Sequence, residues 1–109
     1  MKLDIKPLSV NDAWKGIRFK TDRYKKYQND ICMLLGPMAI PEGEIILYIE
    51  WGFSSAGSDV DNPIKPFTDC LQNKYGFNDN RIVEMHVRKT KVKKGEEFIN
   101  FSITENDNV

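Results

Sequence analysis

The feature that most constrains the fold of this chain is the segment 45–53, in which large apolar residues occupy every second position. Side chains alternate between the two faces of a β-strand, so this pattern predicts a strand. Its high apolar content predicts a central position in a sheet. A chain of 109 residues is long enough for one core and too short for two, so we expect a single domain over residues 1–109. The alternating apolar positions are Ile45, Leu47, Ile49, Trp51 and Phe53.

Two segments with apolar residues at helical spacing lie on either side of this strand. The first starts at residues 21–22, a Thr-Asp pair that suits a helix N-terminus, and it ends at Gly36. The second ends at Gly76, and Pro66 places the start of its regular part near position 66. The sequence therefore predicts two main helices.

The remaining apolar patterns predict shorter strands. Residues 3–5 alternate as a short strand, and residues 8–20 read as a polar loop. Residues 82–87 and 98–103 predict two strands that form a C-terminal β-hairpin, followed by a polar tail, 105–109, that we expect to fray. The predicted fold class is α+β, a small single-domain sheet with two main helices and a C-terminal β-hairpin.

The rare residue types and the missing motifs exclude several kinds of chemistry. Two cysteines and one histidine cannot form a Cys-rich or His-rich zinc site, so a catalytic metal would be held by carboxylates. The sequence has neither a phosphate-binding loop nor a dinucleotide fingerprint, which predicts no nucleotide cofactor. No apolar segment is long enough for a membrane span or a secretory signal, so we expect a cytoplasmic protein with Cys32 and Cys70 as free thiols.

The charges are balanced in number but segregated along the chain. There are 16 basic and 16 acidic residues, yet residues 15–26 hold six basic side chains and one acidic one. Residues 88–94 hold five basic side chains and no acidic one. Local clusters of this kind suit phosphate binding, because the field at a surface depends on nearby charges. Two solvated faces would produce the same pattern.

Acidic residues with spacings suited to a metal site follow the central strand. In an extended segment Asp59 and Asp61 would point to the same side, and carboxylate oxygens are the ligands that Mg²⁺ and Mn²⁺ prefer. Asp79, after the second helix, is a candidate third ligand. Lys65 and Asp69 are four residues apart on a predicted helix, so Asp69 could orient a lysine that stabilises charge on a cleaved phosphate. The alternatives are a helix cap, solvated acids and a surface ion pair.

Residues 58–71, followed by 76–83, resemble the signature of the RusA-type Holliday-junction resolvases. The family pattern is D-x-D-N-x-x-K-x-x-x-D-x-L, then G-[FIW]-x-x-D-x-x-[IV]. The segment 8–11 and the basic stretch up to residue 27 also resemble the opening segment and first helix of that family, so the likeness covers nearly the whole chain. The chain departs from the family pattern at 54–58, where small residues replace basic ones, and at Leu8, where the family has proline.

The resemblance implies a bacterial or phage endodeoxyribonuclease that acts as a homodimer in DNA recombination and repair. Such an enzyme uses Mg²⁺, or Mn²⁺ in its place, to make paired symmetric nicks in four-way DNA junctions. By position, Asp59, Asp61 and Asp79 would bind the metal, Lys65 would be the essential lysine, and Asp69 would match the family's helix acid. Alternatives are a related nuclease acting on forks or flaps, a non-catalytic DNA-binding phage-accessory module, and a structural protein whose acids are only solvated.

Contacts with the DNA backbone are expected to come from outside the signature. Because basic residues are absent just before Asp59, we expect phosphates to be bound by the opening segment and by the two basic clusters, with a steep dependence on salt. The residues expected to contact DNA are Asn11, Lys15, Arg18, Lys20, Arg23, Arg88, Lys89 and Lys91.

Overall fold

The computed structural model describes residues 1–16 and 19–107. The α+β class is confirmed: three α-helices and six strands are found in the described residues. None of these helices is long and apolar enough to cross a bilayer. The elements, in chain order, are β1 (Lys2–Leu3), α1 (Val10–Ala13), β2 (Trp14–Lys15), β3 (Phe19–Lys20), α2 (Asp22–Leu34), β4 (Ile45–Phe53), α3 (Ile64–Tyr75), a 3₁₀ turn (Asp79–Arg81), β5 (Ile82–Lys91) and β6 (Phe98–Glu105).

The main sheet has four strands in the order β1-β6-β4-β5. The segment 45–53 forms β4 and lies between two neighbours, as its apolar pattern predicted. β4 runs parallel to β5 and antiparallel to β6, so that Tyr48 lies opposite His86 on one side and opposite Ser102 on the other. The most apolar strand therefore shares both of its edges with other strands.

The predicted C-terminal β-hairpin is wrong, because β5 and β6 each pair with β4 and not with each other. The connection between them crosses the end of β4, where the backbone N–H of Val92 donates to the carbonyl of Phe53 at 2.8 Å. A strand as apolar as β4 is stabilised most when other strands pair with both of its edges. The residue pattern within β5 or β6 does not show which strand each one pairs with.

The start of the C-terminal tail is paired with β4 and its preceding residue, whereas the prediction was that residues 105–109 would fray. Glu105 is the last residue of β6 and pairs with Ile45, and the N–H of Asn106 donates to the carbonyl of Glu44 at 3.0 Å. Backbone pairing therefore holds the chain through residue 106. Residues 108–109 lie outside the described residues.

The two main helices begin and end at local signals. Thr21 caps α2 by accepting a hydrogen bond from the N–H of Tyr24 at 3.1 Å, and Gly76 ends α3 with a left-handed φ of 71°. The start of α3 lies at Ile64, before the expected start near Pro66. A proline in the first turn costs no intrahelical hydrogen bond, because the first N–H groups of a helix have no partner within it.

The segment expected to be a polar loop forms a compact cap on the helices. α1 is followed by the short β2–β3 pair, and the hydroxyl of Thr21 donates to the carbonyl of Asp12 at 2.6 Å. The indole of Trp14 packs edge-to-face on Tyr24 at 5.6 Å. This packing joins the N-terminal segment to α2.

One face of the sheet packs against α2 and α3. Phe67 of α3 is fully buried and makes edge-to-face contacts with Trp51 at 5.7 Å and Phe101 at 5.3 Å. Cys70 is buried in the same core, and its burial raises the pKa of the thiol to about 12. Cys32 is exposed, and both cysteines are free, as predicted. The opposite face of the sheet is open, with Tyr48 exposed.

Gly52, on the open face, lets the aromatic ring of Phe98 lie close to the β4 backbone, which a residue with a Cβ atom would not permit. A Cβ atom at this position would overlap the aromatic ring of Phe98 on β6. We expect Gly52→Ala to lower the free energy of unfolding by about 1–3 kcal/mol through overpacking. The measurement is urea unfolding of the variant, of Phe98→Ala and of the double variant, in which the loss due to Gly52→Ala should largely disappear. An equal loss in both backgrounds would show that the ring is not the cause.

Candidate functional site

The segment 58–62, here called the acidic loop, connects β4 to α3 and is held by three other parts of the molecule. The indole N–H of Trp51 donates to the carbonyl of Val60 at 2.8 Å. The backbone N–H of Val10 donates to the carbonyl of Asn62 at 2.9 Å, and the Lys89 ammonium donates to the carbonyl of Ser58 at 2.7 Å. The acidic loop is therefore fixed by the core, by α1 and by the end of β5.

The acidic loop is not extended, so the expectation that Asp59 and Asp61 lie in a strand-like segment is wrong. The chain bends at residues 60–61, and the N–H of Ile64 donates to the carbonyl of Asp61 at 3.1 Å. The side-chain amide of Asn62 donates to the Asp59 carboxylate at 3.3 Å. The approach to α3 forces this bend, because the chain must turn into the helix directly after the two aspartates. Both carboxylates are exposed.

Lys65 and Asp69 lie on one face of α3 and form an ion pair, as their spacing predicted. The Lys65 ammonium donates to Asp69 Oδ1 at 2.8 Å, and the Tyr24 hydroxyl donates to Asp69 Oδ2 at 3.1 Å. The hydrogen bond to Asp69 is the main cause that raises the pKa of Lys65 above its usual value, with partial desolvation acting against it. Lys65 therefore carries its positive charge at neutral pH and suits electrostatic stabilisation rather than proton abstraction.

Asp79 is connected to this pair through Gln72. Its backbone N–H donates to Gln72 Oε1 at 3.2 Å, and Gln72 Nε2 approaches Asp69 Oδ1 at 3.5 Å. The negative charge of Asp79 also contributes to the raised pKa of Lys65. The turn after α3 therefore brings Asp79 back along the helix, so that its charge acts on a lysine fourteen residues earlier in the chain.

The three aspartates assigned to a metal differ in their position along α3. Asp59 and Asp61 precede the first residue, Ile64, whereas Asp79 lies beside Gln72, roughly 12 Å further along the helix axis. Carboxylate oxygen is the donor type that Mg²⁺ prefers, so the chemistry of these residues fits the ion. Across residues 1–16 and 19–107, no group of three or more histidine, cysteine or acidic side chains is placed to hold a metal ion.

Tyr24 and Gln72 are the residues of this cluster that sequence reasoning missed. Their positions in the sequence predict only that Tyr24 lies on the apolar face of α2 and Gln72 on the polar face of α3. Burial and the neighbouring Asp69 raise the pKa of Tyr24, so the hydroxyl remains protonated and can donate. Nothing local in the sequence relates Tyr24 to Asp69, because 45 residues separate them. A cavity of about 220 Å³ beside the cluster is lined by Trp14, Lys20, Tyr24, Gln28, Asp69, Gln72 and Asn73.

Basic side chains from both clusters lie beside the acidic loop. Arg23 is exposed, pairs with Asp12 at 3.5 Å and lines a cavity of about 210 Å³ together with Asp59. Lys89 contacts the acidic loop at the carbonyl of Ser58. The fold therefore places one residue from each basic cluster beside the same acidic segment.

The other residues expected to contact DNA are distributed more widely. Lys20 is exposed, with its ammonium 5.4 Å from the centre of the Tyr24 ring. Arg88 lies on the open face of the sheet and pairs with Glu50 at 3.6 Å, away from the helices. Arg18 lies outside the described residues. The side chains of Asn11, Lys15 and Lys91 are exposed.

No protein-family model matches the chain, and no curated protein matches it. The fold and the site describe a small α+β domain in which an ion-paired lysine and an acidic loop are flanked by basic residues.

Proposed function

We propose that this chain is a metal-dependent endodeoxyribonuclease that resolves four-way DNA junctions in recombination or repair. The observation that carries the proposal is the environment of Lys65. The lysine is held by Asp69 at 2.8 Å and is influenced by the charge of Asp79, so three positions of the resolvase-like signature act on one another. The ion pair follows from helical spacing, and the turn after α3 adds Asp79 to it through Gln72.

Lys65 has the role of a fixed positive charge in this proposal. Phosphodiester cleavage develops negative charge on the phosphoryl oxygens and on the leaving oxygen, and an ammonium group held nearby stabilises that charge. Asp69 and Tyr24 act as positioning residues, because their hydrogen bonds restrict the lysine side chain. The Lys65 side chain is 60% exposed and the Asp69 side chain is 21% exposed, so a phosphate can reach the ammonium from solvent.

We assign Mg²⁺ to the carboxylates of Asp59 and Asp61, while Asp79, which lies further along α3, acts in this proposal through its charge on Lys65. When bound, the ion would supply further positive charge at the phosphate. Mg²⁺ usually takes one or two carboxylates together with substrate phosphate oxygens and water, so this proposal does not need a closed cage of protein ligands. Mn²⁺ has a similar preference for oxygen donors and is expected to substitute for it.

The surroundings of the acidic loop support a DNA substrate. Arg23 and Lys89 lie beside the acidic loop, where they can bind phosphates of a DNA backbone. A four-way junction has approximate two-fold symmetry, so two copies of this chain can each cut one of two equivalent strands. We therefore propose a homodimer as the working unit.

The first experiment compares cleavage of a mobile four-way junction and of a linear duplex with the same sequence. We expect paired symmetric nicks in the junction with Mg²⁺ or Mn²⁺, no nicks with a chelator, and no nicks with Asp61→Asn, which should still bind the junction. Asp107→Asn is the matched control. Asp107 is also exposed and follows β6, whose last residue pairs with Ile45 at the end of β4 remote from the acidic loop.

The other outcomes distinguish the alternative functions. Nicks in forks or flaps, but not in four-way junctions, would keep the nuclease and change its substrate. Junction binding that is independent of metal, with no nicks under any metal, would identify a DNA-binding module without catalysis. A protein that neither binds nor cuts branched DNA would leave the three aspartates as solvated surface acids.

A further inference from the structure

The outer edge of β5 is long, and no other strand of the described residues pairs with it. β5 is the last strand of the β1-β6-β4-β5 sheet and runs for ten residues, Ile82–Lys91. In the part of the chain that the structure describes, β4 is its only strand partner, so the backbone groups on the outer edge have no strand to bind. The other edge strand, β1, is only two residues long. Exposed edges of this length are templates for pairing with another strand.

The side chains of β5 are arranged symmetrically around His86. Glu84 and Arg88 precede and follow it by two residues on the open face of the sheet, and all three side chains are exposed. Met85 and Val87 precede and follow it by one residue on the helix-covered face, and both are half-buried. A segment with an acid and a base placed symmetrically about its centre is complementary to an antiparallel copy of itself.

Only one register uses this symmetry. In an antiparallel pair centred on His86, Glu84 of each copy lies opposite Arg88 of the other, and Met85 lies opposite Val87. Shifting the register by one residue would place side chains of opposite faces against each other. Moving the centre to Val87 would place Glu84 opposite Thr90, and moving it to Met85 would place Glu84 opposite His86, so neither register forms the two Glu84–Arg88 pairs.

We propose that β5 pairs with β5 of a second copy of this chain, antiparallel and centred on His86, so that the two sheets join into one sheet of eight strands. The pairing satisfies the outer-edge backbone groups of both copies and adds two Glu84–Arg88 pairs. Within one chain, Glu84 contacts His86 at 3.1 Å and Arg88 contacts Glu50 at 3.6 Å, so both side chains already lie over the open face. The proposal rests on the strand edge and not on the nuclease activity.

The test is the oligomeric state of charge variants, measured by sedimentation velocity over a range of protein concentrations without DNA. Wild type should dimerise reversibly. Glu84→Lys and Arg88→Glu should each weaken the dimer by about tenfold or more, because each places two like-charged pairs across the axis. The double variant Glu84→Lys/Arg88→Glu should regain the wild-type affinity, and an equimolar mixture of the two single variants should form a heterodimer.

Thr104→Lys is the control, because Thr104 is exposed on β6 on the same open face but away from the β5 edge. It should dimerise as wild type does. Circular dichroism of each variant shows whether the fold is kept. The proposal is overturned if wild type sediments as a monomer at all concentrations, or if the single variants dimerise as well as wild type. A monomer that still nicks junctions would overturn this interface and the proposed homodimer but not the nuclease activity, and a dimer that nicks nothing would overturn the proposed nuclease activity but not this interface.

Discussion

Lys65→Gln is expected to reduce junction cleavage by about 100- to 1,000-fold, the effect typical of losing one electrostatic stabiliser of a transition state. Glutamine keeps a polar side chain that can still donate to Asp69, but it carries no charge. The ammonium group acts on charge that develops during cleavage, so we expect junction affinity to change by only a few-fold. The measurement is the single-turnover rate at saturating protein, with affinity measured separately in the presence of a chelator.

Lys74→Gln is the matched control for this prediction. Lys74 lies in the last turn of the same helix, α3, and is exposed, so its replacement removes the same charge from a different place. It should cleave at nearly the wild-type rate. The Lys65–Asp69 pair is largely exposed at Lys65, so its loss should cost about 0.2–1 kcal/mol of stability at most, and both variants should remain folded. Equal cleavage rates for Lys65→Gln and wild type would remove the lysine from the mechanism.

Phe67→Ala is expected to lower the free energy of unfolding by about 3–5 kcal/mol, the usual cost of removing a large aromatic side chain from a core. Phe67 has no exposed surface and lies between Trp51 and Phe101, so truncation leaves a cavity at the contact between α3 and two central strands. Domains of this size are stable by only about 5–15 kcal/mol, so much of the stability would be lost. The midpoint of thermal unfolding should fall by roughly 15–30 °C.

Phe19→Ala controls for the loss of an aromatic ring as such. Phe19 is 73% exposed, and its truncation removes little buried surface, so its unfolding midpoint should stay close to that of wild type. Urea unfolding and thermal unfolding, both followed by circular dichroism, measure the free energy and the midpoint for all three proteins. Similar losses for the two variants would contradict the packing of α3 on the sheet, since only Phe67 contacts Trp51 and Phe101.

The elements with strong local signals could be predicted well. The alternation in residues 45–53 identified β4, and the Thr21 cap and Gly76 stop identified one end of each main helix, because these signals act over a few residues. The partner of β5 could not be predicted in this way. Pairing brings together residues far apart in sequence, and β5 and β6 each have a pattern that suits either partner.

The same distinction applies to the candidate site, of which one part could be predicted and another part could not. The α+β class, the central strand and the Lys65–Asp69 pair could be predicted, because each follows from periodicity or from spacing within one element. The contacts of Tyr24 and Gln72 with Asp69, the bend in the acidic loop, and the positions of Arg23 and Lys89 beside that loop became visible only in the folded molecule. These contacts depend on how α2, α3 and β5 pack together, and packing joins residues that no local pattern relates.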